Sequence, residues 1–256
     1  MLGRRIADAE VGPRRWLQRL WGVPDIHARQ KWSAVWPELE PLPHEDVRLI
    51  DAGCGSGAWS LEIASRRPAW TVAGVDRNVE AIARAEALRA RLGLGNVTFE
   101  STDFVDFRPK APVDVVLSVA SAHYLTEAGR GDELFSRFRS WLKPRGVLVL
   151  FGPRRTDEVP FVSWLPRRDE RREAFSAGQL EALCRSAGLT VEKLTGRLGA
   201  AGTAAKQVDW ARHGLPRPLS AAIYPLGWAL SALDARGDVG RGRSMGWLLR
   251  ASASAA

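Results

Sequence analysis

Cysteine is nearly absent: Cys54 and Cys184 are the only two in 256 residues. Two thiols without metal-pair spacing exclude a disulfide framework and a cysteine-based zinc site, and they suit the reducing cytoplasm, the expected compartment. Long apolar runs are missing too, so no stretch is expected to span a bilayer. The first ten residues, broken by Arg4, Arg5 and Asp8, do not read as a signal peptide. No internal repeat is present, and low complexity is confined to the Ala/Ser tail from Ala251 to Ala256. Acid is the scarcer charge, 29 Asp and Glu against 37 Lys and Arg, for a net +8. A basic surface attracts polyanions. Arginine is spread over the whole chain here, however, so composition alone is a poor argument for a nucleic-acid partner.

What is present is concentrated in residues 48–57. The apolar run Arg48-Leu49-Ile50-Asp51 reads as a strand ending in an acid, and it leads into Gly53, Gly55 and Gly57. Glycine serves where backbone must turn with positive φ or approach a ligand closely. Ala58 to Ala64 then reads as a helix whose free N–H groups face that ligand. A second apolar strand, Thr71 to Asp76, ends in another acid nineteen residues after Gly57. The periodicity predicts a helix over Val79–Leu92 with a stop at Gly93, and further strands over 96–100, 113–119 and 146–151, the last after a turn at Lys143-Pro144-Arg145-Gly146. Strands alternating with helices at these intervals imply an α/β fold, a parallel sheet covered on both faces.

The spacing D-x-G-x-G-x-G from Asp51 to Gly57 differs from the dinucleotide fingerprint G-x-G-x-x-G. It resembles motif I of class I S-adenosylmethionine (SAM)-dependent methyltransferases of the bacterial small-molecule, biosynthetic type, over roughly residues 45–195. The resemblance implies a doubly wound, seven-stranded, mostly parallel sheet and SAM as cofactor. It implies Asp51, Gly53, Gly55 and Gly57 as the cofactor loop, Asp76 on the ribose hydroxyls with Arg77 beside it, Asp103 on the adenine amino group with Phe104, and Ser118 at the cleft. The chemistry it implies is SN2 displacement, the acceptor attacking the methyl in line with the departing thioether.

Acceptor motifs are informative by their absence. Enzymes acting on exocyclic base nitrogens carry Asn/Asp-Pro-Pro-aromatic after the fourth strand, and cytosine-C5 enzymes carry Pro-Cys. Ser118-Val119-Ala120-Ser121 stands there instead, which argues against base methylation. That run also lacks acidic metal ligands, so no catalytic metal is expected. His123 follows directly and is the best-placed general base, since a neutral imidazole can take a proton from a hydroxyl; Tyr124 is the second candidate. A packing histidine is the alternative.

The additions to the core are expected to choose the acceptor. Residues 1–44 read as an N-terminal helical cap, with Trp16, Trp21, Trp32 and Trp36 interleaved with arginines. It either closes over the cofactor, covers the sheet, or lies at a membrane interface. His27, in this segment, reads as structural. Residues 45–195 form the SAM-binding core, 196–244 a helical insertion between the last two strands, and 245–256 the last strand and tail. Within the core, residues 153–172 carry Arg154, Arg155, Arg167, Arg168, Arg171 and Arg172, either an anion site or a solvated basic loop. The helix opened by Ser176 should stop at Gly188, with the next strand over 190–194. The insertion should hold a helix over Lys206–Gly214 and an apolar piece, Leu219–Leu233, able to lid the acceptor pocket or dock onto lipid.

The expected function is methylation of a small-molecule acceptor, at oxygen, by a cytoplasmic enzyme. The alternatives are a peripheral-membrane methyltransferase of a lipid-linked or glycan substrate, and a silent partner subunit. Intact Asp51, Asp76 and glycines argue against the last.

Overall fold

The computed structural model describes residues 26–154, 175–213, 215–234 and 246–254. In chain order the elements are α1 (Ile26–Leu39), β1 (Arg48–Ala52), α2 (Ala58–Arg66), β2 (Thr71–Asp76), α3 (Val79–Leu92), β3 (Val97–Ser101), β4 (Val113–Val119), α4 (His123–Glu127), α5 (Gly131–Trp141), β5 (Leu142–Pro153), α6 (Ala177–Ser186), β6 (Leu189–Arg197), α7 (Ala200–His213), α8 (Arg217–Asp234) and β7 (Gly246–Ala253). The strands form one sheet in the order β3-β2-β1-β4-β5-β7-β6. Neighbours from β3 to β5 are parallel, and β7 runs antiparallel between β5 and β6.

Period-two alternation divides the strands between two cores. Ile50, Val116, Leu148, Leu150 and Leu249 face Phe135 and Phe138 of α5 and Leu180 of α6. Their sequence neighbours Leu49, Val115, Val147, Val149 and Leu248 face the opposite layer, with Leu61 of α2 and Trp32, Val35 and Leu39 of α1. Both faces are thus covered, as a parallel sheet requires.

Local signals set most boundaries. Asn78 accepts the Ala81 N–H at 3.0 Å to open α3, and Gly93 closes it at φ +65°. Ser176 accepts the Gln179 N–H to open α6, and Phe175 just before it bridges to Arg154. The turn expected at 143–146 is a bulge inside a longer β5. The ladder jumps from Val113 opposite Leu142 to Val115 opposite Val147, with Arg145 at φ +63°, because the extra residues must loop out to keep the register.

Trp32 stacks on Trp36 at 5.0 Å between centroids and lies against Trp59 at 4.9 Å, with the Arg66 guanidinium over both α1 rings. These two tryptophans therefore cover the sheet through α2. Trp16, Trp21 and the early arginines lie outside the described residues, as do Arg155 to Arg172 and Met245, and the His27 side chain is likewise not described. The helices α7 and α8 pack on each other and on α1 around Ile26, Ala205 and Tyr224. Gln30 Nε2 donates to Gly202 O at 3.0 Å. The amino-terminal helix and the insertion, 172 residues apart at that bond, thus meet in one helical body. It rises where β6 ends and β7 begins, on the edge carrying the carboxyl ends of β1 to β5.

Candidate functional site

The sheet order reverses between β1 and β4, which makes the carboxyl ends of these two strands the topological switch point where ligands bind in open α/β sheets. Two loops meet there, 53–57 after β1 and 120–122 after β4.

The first loop is tied down by backbone and carboxylate. Gly53 and Cys54 N–H both donate to Val75 O, at 2.8 and 3.0 Å, and the Gly57 N–H closes a turn on Cys54 O at 3.0 Å. The Gly55 N–H donates to Asp76 Oδ2 at 2.8 Å, while Asp76 Oδ1 accepts the Asn78 N–H at 2.9 Å. All three glycines have positive φ, but for different surroundings. A Cβ on Gly53 would lie 2.2 Å from Ser121 Cβ, and one on Gly57 would lie 2.7 Å from the Phe99 ring. At Gly55, φ +53°, an added Cβ would meet nothing within 4 Å. Protein packing demands the outer two, and the middle one borders open space.

Asp51 lies beneath this loop, 1% exposed. Its Oδ2 accepts the Ser60 hydroxyl at 2.6 Å. Burial pushes its carboxyl up to about 6, against hydrogen bonds from the Ser60 side chain and backbone and with help from the nearby Asp76 charge. Ser60 sits in the first turn of α2, so Asp51 serves the otherwise uncapped amino end of that helix. The Cys54 thiol is buried and is pushed up by burial first, then by Asp51 and Asp76, so it stays protonated and is no nucleophile. Burial also pushes the Cys184 thiol up to about 12.

The second loop is held by serines. Ser121 Oγ donates to Ala52 O at 2.7 Å and lies 2.9 Å from Ser118 Oγ, a strut between β1 and β4. Ser118 is fully buried within it. Ala120 takes φ +56°, an uncommon region for a residue with a Cβ, and its N–H donates to Phe151 O at 2.7 Å. His123 then opens α4, 2% exposed, with the ring of Tyr124 at 4.1 Å and Tyr124 itself 47% exposed. Phe104 lies beside Gly53, its ring edge 3.6 Å from where a Cβ would stand. Asp103 is half-buried and accepts the Val105 N–H at 3.1 Å. Arg77 is exposed next to Asp76. Beyond β5, the Arg154 guanidinium lies over the Trp247 ring at 4.9 Å. Among the described residues no group of three or more His, Cys, Asp or Glu is placed to hold a metal ion.

The glycines, Asp51, Asp76, Phe104 and Ser118 thus converge around one loop pair. Sequence reasoning missed Ser60, Asn78, Ala120 and Ser121. Asn78 had a readable signal, a helix-capping residue three positions before Ala81. Ala120 had none, since alanine does not announce a positive φ.

The fold and this loop define a class I SAM-dependent methyltransferase architecture. Residues 43–198 match the family of methyltransferase domains, and the chain belongs to that family. It is 28% identical to trans-aconitate 2-methyltransferase of Yersinia pestis (strain Pestoides F), over 67% of this chain and 62% of the relative. It is 36% identical to release factor glutamine methyltransferase of Shewanella oneidensis, over 52% of this chain and 62% of that protein. The chain therefore spans about 62% of the length of these curated relatives. Among solved structures, geranyl diphosphate C-methyltransferase from Streptomyces coelicolor A3(2) superposes with a TM-score of 0.61 at 16% identity, over 88% of this chain and 75% of that one. At that identity the likeness establishes the fold.

Proposed function

We propose that the protein is a SAM-dependent methyltransferase acting on an oxygen of a small-molecule acceptor in a cytoplasmic biosynthetic step. The observation that carries this reading is Asp76 fixing the Gly55 N–H beside open space, with Asp51 buried below. After accepting Gly55 and Asn78, the Asp76 carboxylate keeps lone pairs for the two hydroxyls of a ribose. Asp51 and Asp76 make the floor of the loop anionic in a chain of net charge +8, which favours a ligand bearing an ammonium and a sulfonium. Asp103 keeps one carboxylate oxygen for the adenine amino group, and Phe104 walls the loop on the Gly53 side.

SAM, when bound, supplies a methyl group on positively charged sulfur, open to in-line attack by the acceptor. The residues around it contribute alignment and exclusion of water. The Ser118–Ser121 strut holds the loop after β4 against the end of β1, beside the donor loop. His123, at the start of α4, is the candidate to take the acceptor's hydroxyl proton, with exposed Tyr124 next to it as the second candidate. The relative named for trans-aconitate supports a small acid as acceptor class; an ionised carboxylate oxygen would attack without giving up a proton, so His123 acts as a base only toward a hydroxyl acceptor.

Calorimetric titration with SAM and with S-adenosylhomocysteine tests the donor assignment. Micromolar binding is expected, weakened about 100-fold in Asp76→Ala, the loss of charged hydrogen bonds, with an unchanged circular dichroism spectrum. No binding to the native protein would remove the enzyme reading. With an acceptor in hand, a rate of His123→Ala that matches the native enzyme across pH would remove the base assignment.

A further inference from the structure

The outward face of α8 carries a row of exposed apolar residues from Leu219 to Leu233. Leu219, Ala222, Leu226, Ala229 and Leu233 are all exposed, alternating at intervals of three and four, with Pro225 beside them. The leucines are 55%, 57% and 69% exposed in turn, and Leu215 just before the helix is 40% exposed. The opposite face is spent on packing: Tyr224, Gly227 and Ser231 are buried toward the helical body. A helix apolar on both sides is normally covered on both. No helix among the described residues is long and apolar enough to cross a membrane, so spanning is not how this one is covered.

Charge decides between the remaining occupants. Between Lys206 and Arg243 the sequence has six Lys and Arg against three acids. Two of those acids are occupied inward: Asp209 is buried, and Asp234 accepts the Gly199 N–H at 2.8 Å. At the side of the face, Trp228 carries the Arg29 guanidinium 4.1 Å above its ring. A second copy is the poorer fit. The strip is ~21 Å long and one helix, about 10 Å, wide, far short of the ~800 Å² per partner in a stable dimer. Two copies would also bring like charges together.

We propose that this face of α8 docks onto an anionic lipid surface, its leucines entering the headgroup region, with the basic excess of the segment and Arg29 beside Trp228 favouring lipid phosphates. The helical body rises from the cofactor edge of the sheet, so docking brings that edge to the bilayer. The inference stands apart from the acceptor's identity.

Flotation with vesicles tests it, comparing phosphatidylcholine alone with phosphatidylcholine containing about a third phosphatidylglycerol. The native protein should partition at least ~10-fold better onto the anionic vesicles and be released by added salt. The Leu219→Glu/Leu226→Glu variant, altered only at exposed positions, should lose ~10-fold or more of that partitioning with its thermal midpoint unchanged. Equal flotation of variant and native protein, or no flotation of the native protein, would overturn the proposal. So would a native dimer in sedimentation that the same variant turns into monomer, since the face would then belong to a second copy.

Discussion

The two halves of the molecule that meet at the cleft are built differently. The donor half, β1, β2 and β4 with their loops, is set by hydrogen bonds between adjacent strands and loops: Gly53 and Cys54 on Val75, Gly55 on Asp76, Ser60 on Asp51 and Ser121 on Ala52. The half to which the proposed function assigns the acceptor, α1, α7 and α8, is held by apolar contacts around Ile26, Ala205 and Tyr224, with polar ties at Gln30 and Asp234. The groups of the first are oriented by these bonds, while the second leaves leucines in the open. A donor that is always the same molecule can be met by fixed backbone. On the proposed function, an acceptor that differs between enzymes would be met by a replaceable helical body.

If that contrast is real, the donor half should tolerate almost nothing. Gly53→Ala should have the largest effect. The new Cβ would overlap Ser121 near its backbone, at a φ of +80°, so a loss of about 4 kcal/mol is expected from overpacking and strain combined. Thermal unfolding measures it, and a midpoint near the native one would show that the two loops are not locked together.

Asp51→Asn comes next, and its effect depends on pH. The native carboxyl sits at about 6 when folded against 3.8 as its ordinary value, so the folded state holds the proton more tightly. That contribution is complete below the ordinary value and is lost as pH rises through about 6, roughly 3 kcal/mol for a shift of this size. Urea unfolding of the native protein should therefore weaken from acid toward neutral pH, and Asp51→Asn should flatten that slope. A cationic ligand favours the ionised form, so SAM affinity should rise over the same interval. A native profile without the slope would mean that Asp51 does not feel its burial.

Gly55→Ala separates ligand approach from packing. Open space surrounds the position, so stability should fall only by the ~1 kcal/mol of a non-glycine residue in the left-handed region. S-adenosylhomocysteine affinity should fall about 10-fold as the new Cβ enters the ligand's space. Titration beside thermal unfolding distinguishes the two; equal native affinity would move the ligand away from Gly55.

The same contrast explains what was legible in the sequence. β2 and α3 begin and end at the residues predicted, because an acid at the strand end, Asn78 and Gly93 are local signals. The cofactor loop was legible because the backbone itself requires glycine at fixed spacing. Asp51 was recognisable as part of the motif, but its partnership with Ser60 depends on how α2 returns over β1. The sheet-covering place of Trp32 depends on Trp59 and Arg66, and composition could not choose it over the other readings of that segment. The insertion was visible as two helical pieces, yet α7 begins at Ala200, six residues before the expected start. Nothing local placed it on α1. The Gln30–Gly202 bond is long-range, and apolar periodicity does not name its partner.

The smallest effect tests whether the halves are independent. The Asp234 carboxylate, at the end of α8, accepts the Gly199 N–H at 2.8 Å and is also bonded by Gly202 at the start of α7, so it joins the two ends of the hairpin and meets the positive end of a helix dipole. Asp234→Ala should cost about 1 kcal/mol, the usual loss of a helix cap. Hydrogen exchange should quicken in α7 and α8 while the β1 and β4 amides stay protected. Because no bond runs from Asp234 to the donor loop, S-adenosylhomocysteine affinity should stay within twofold of native, about 0.4 kcal/mol. A larger loss would mean that the helical body holds the donor site in shape, and the division between a fixed donor half and a replaceable acceptor half would have to be given up.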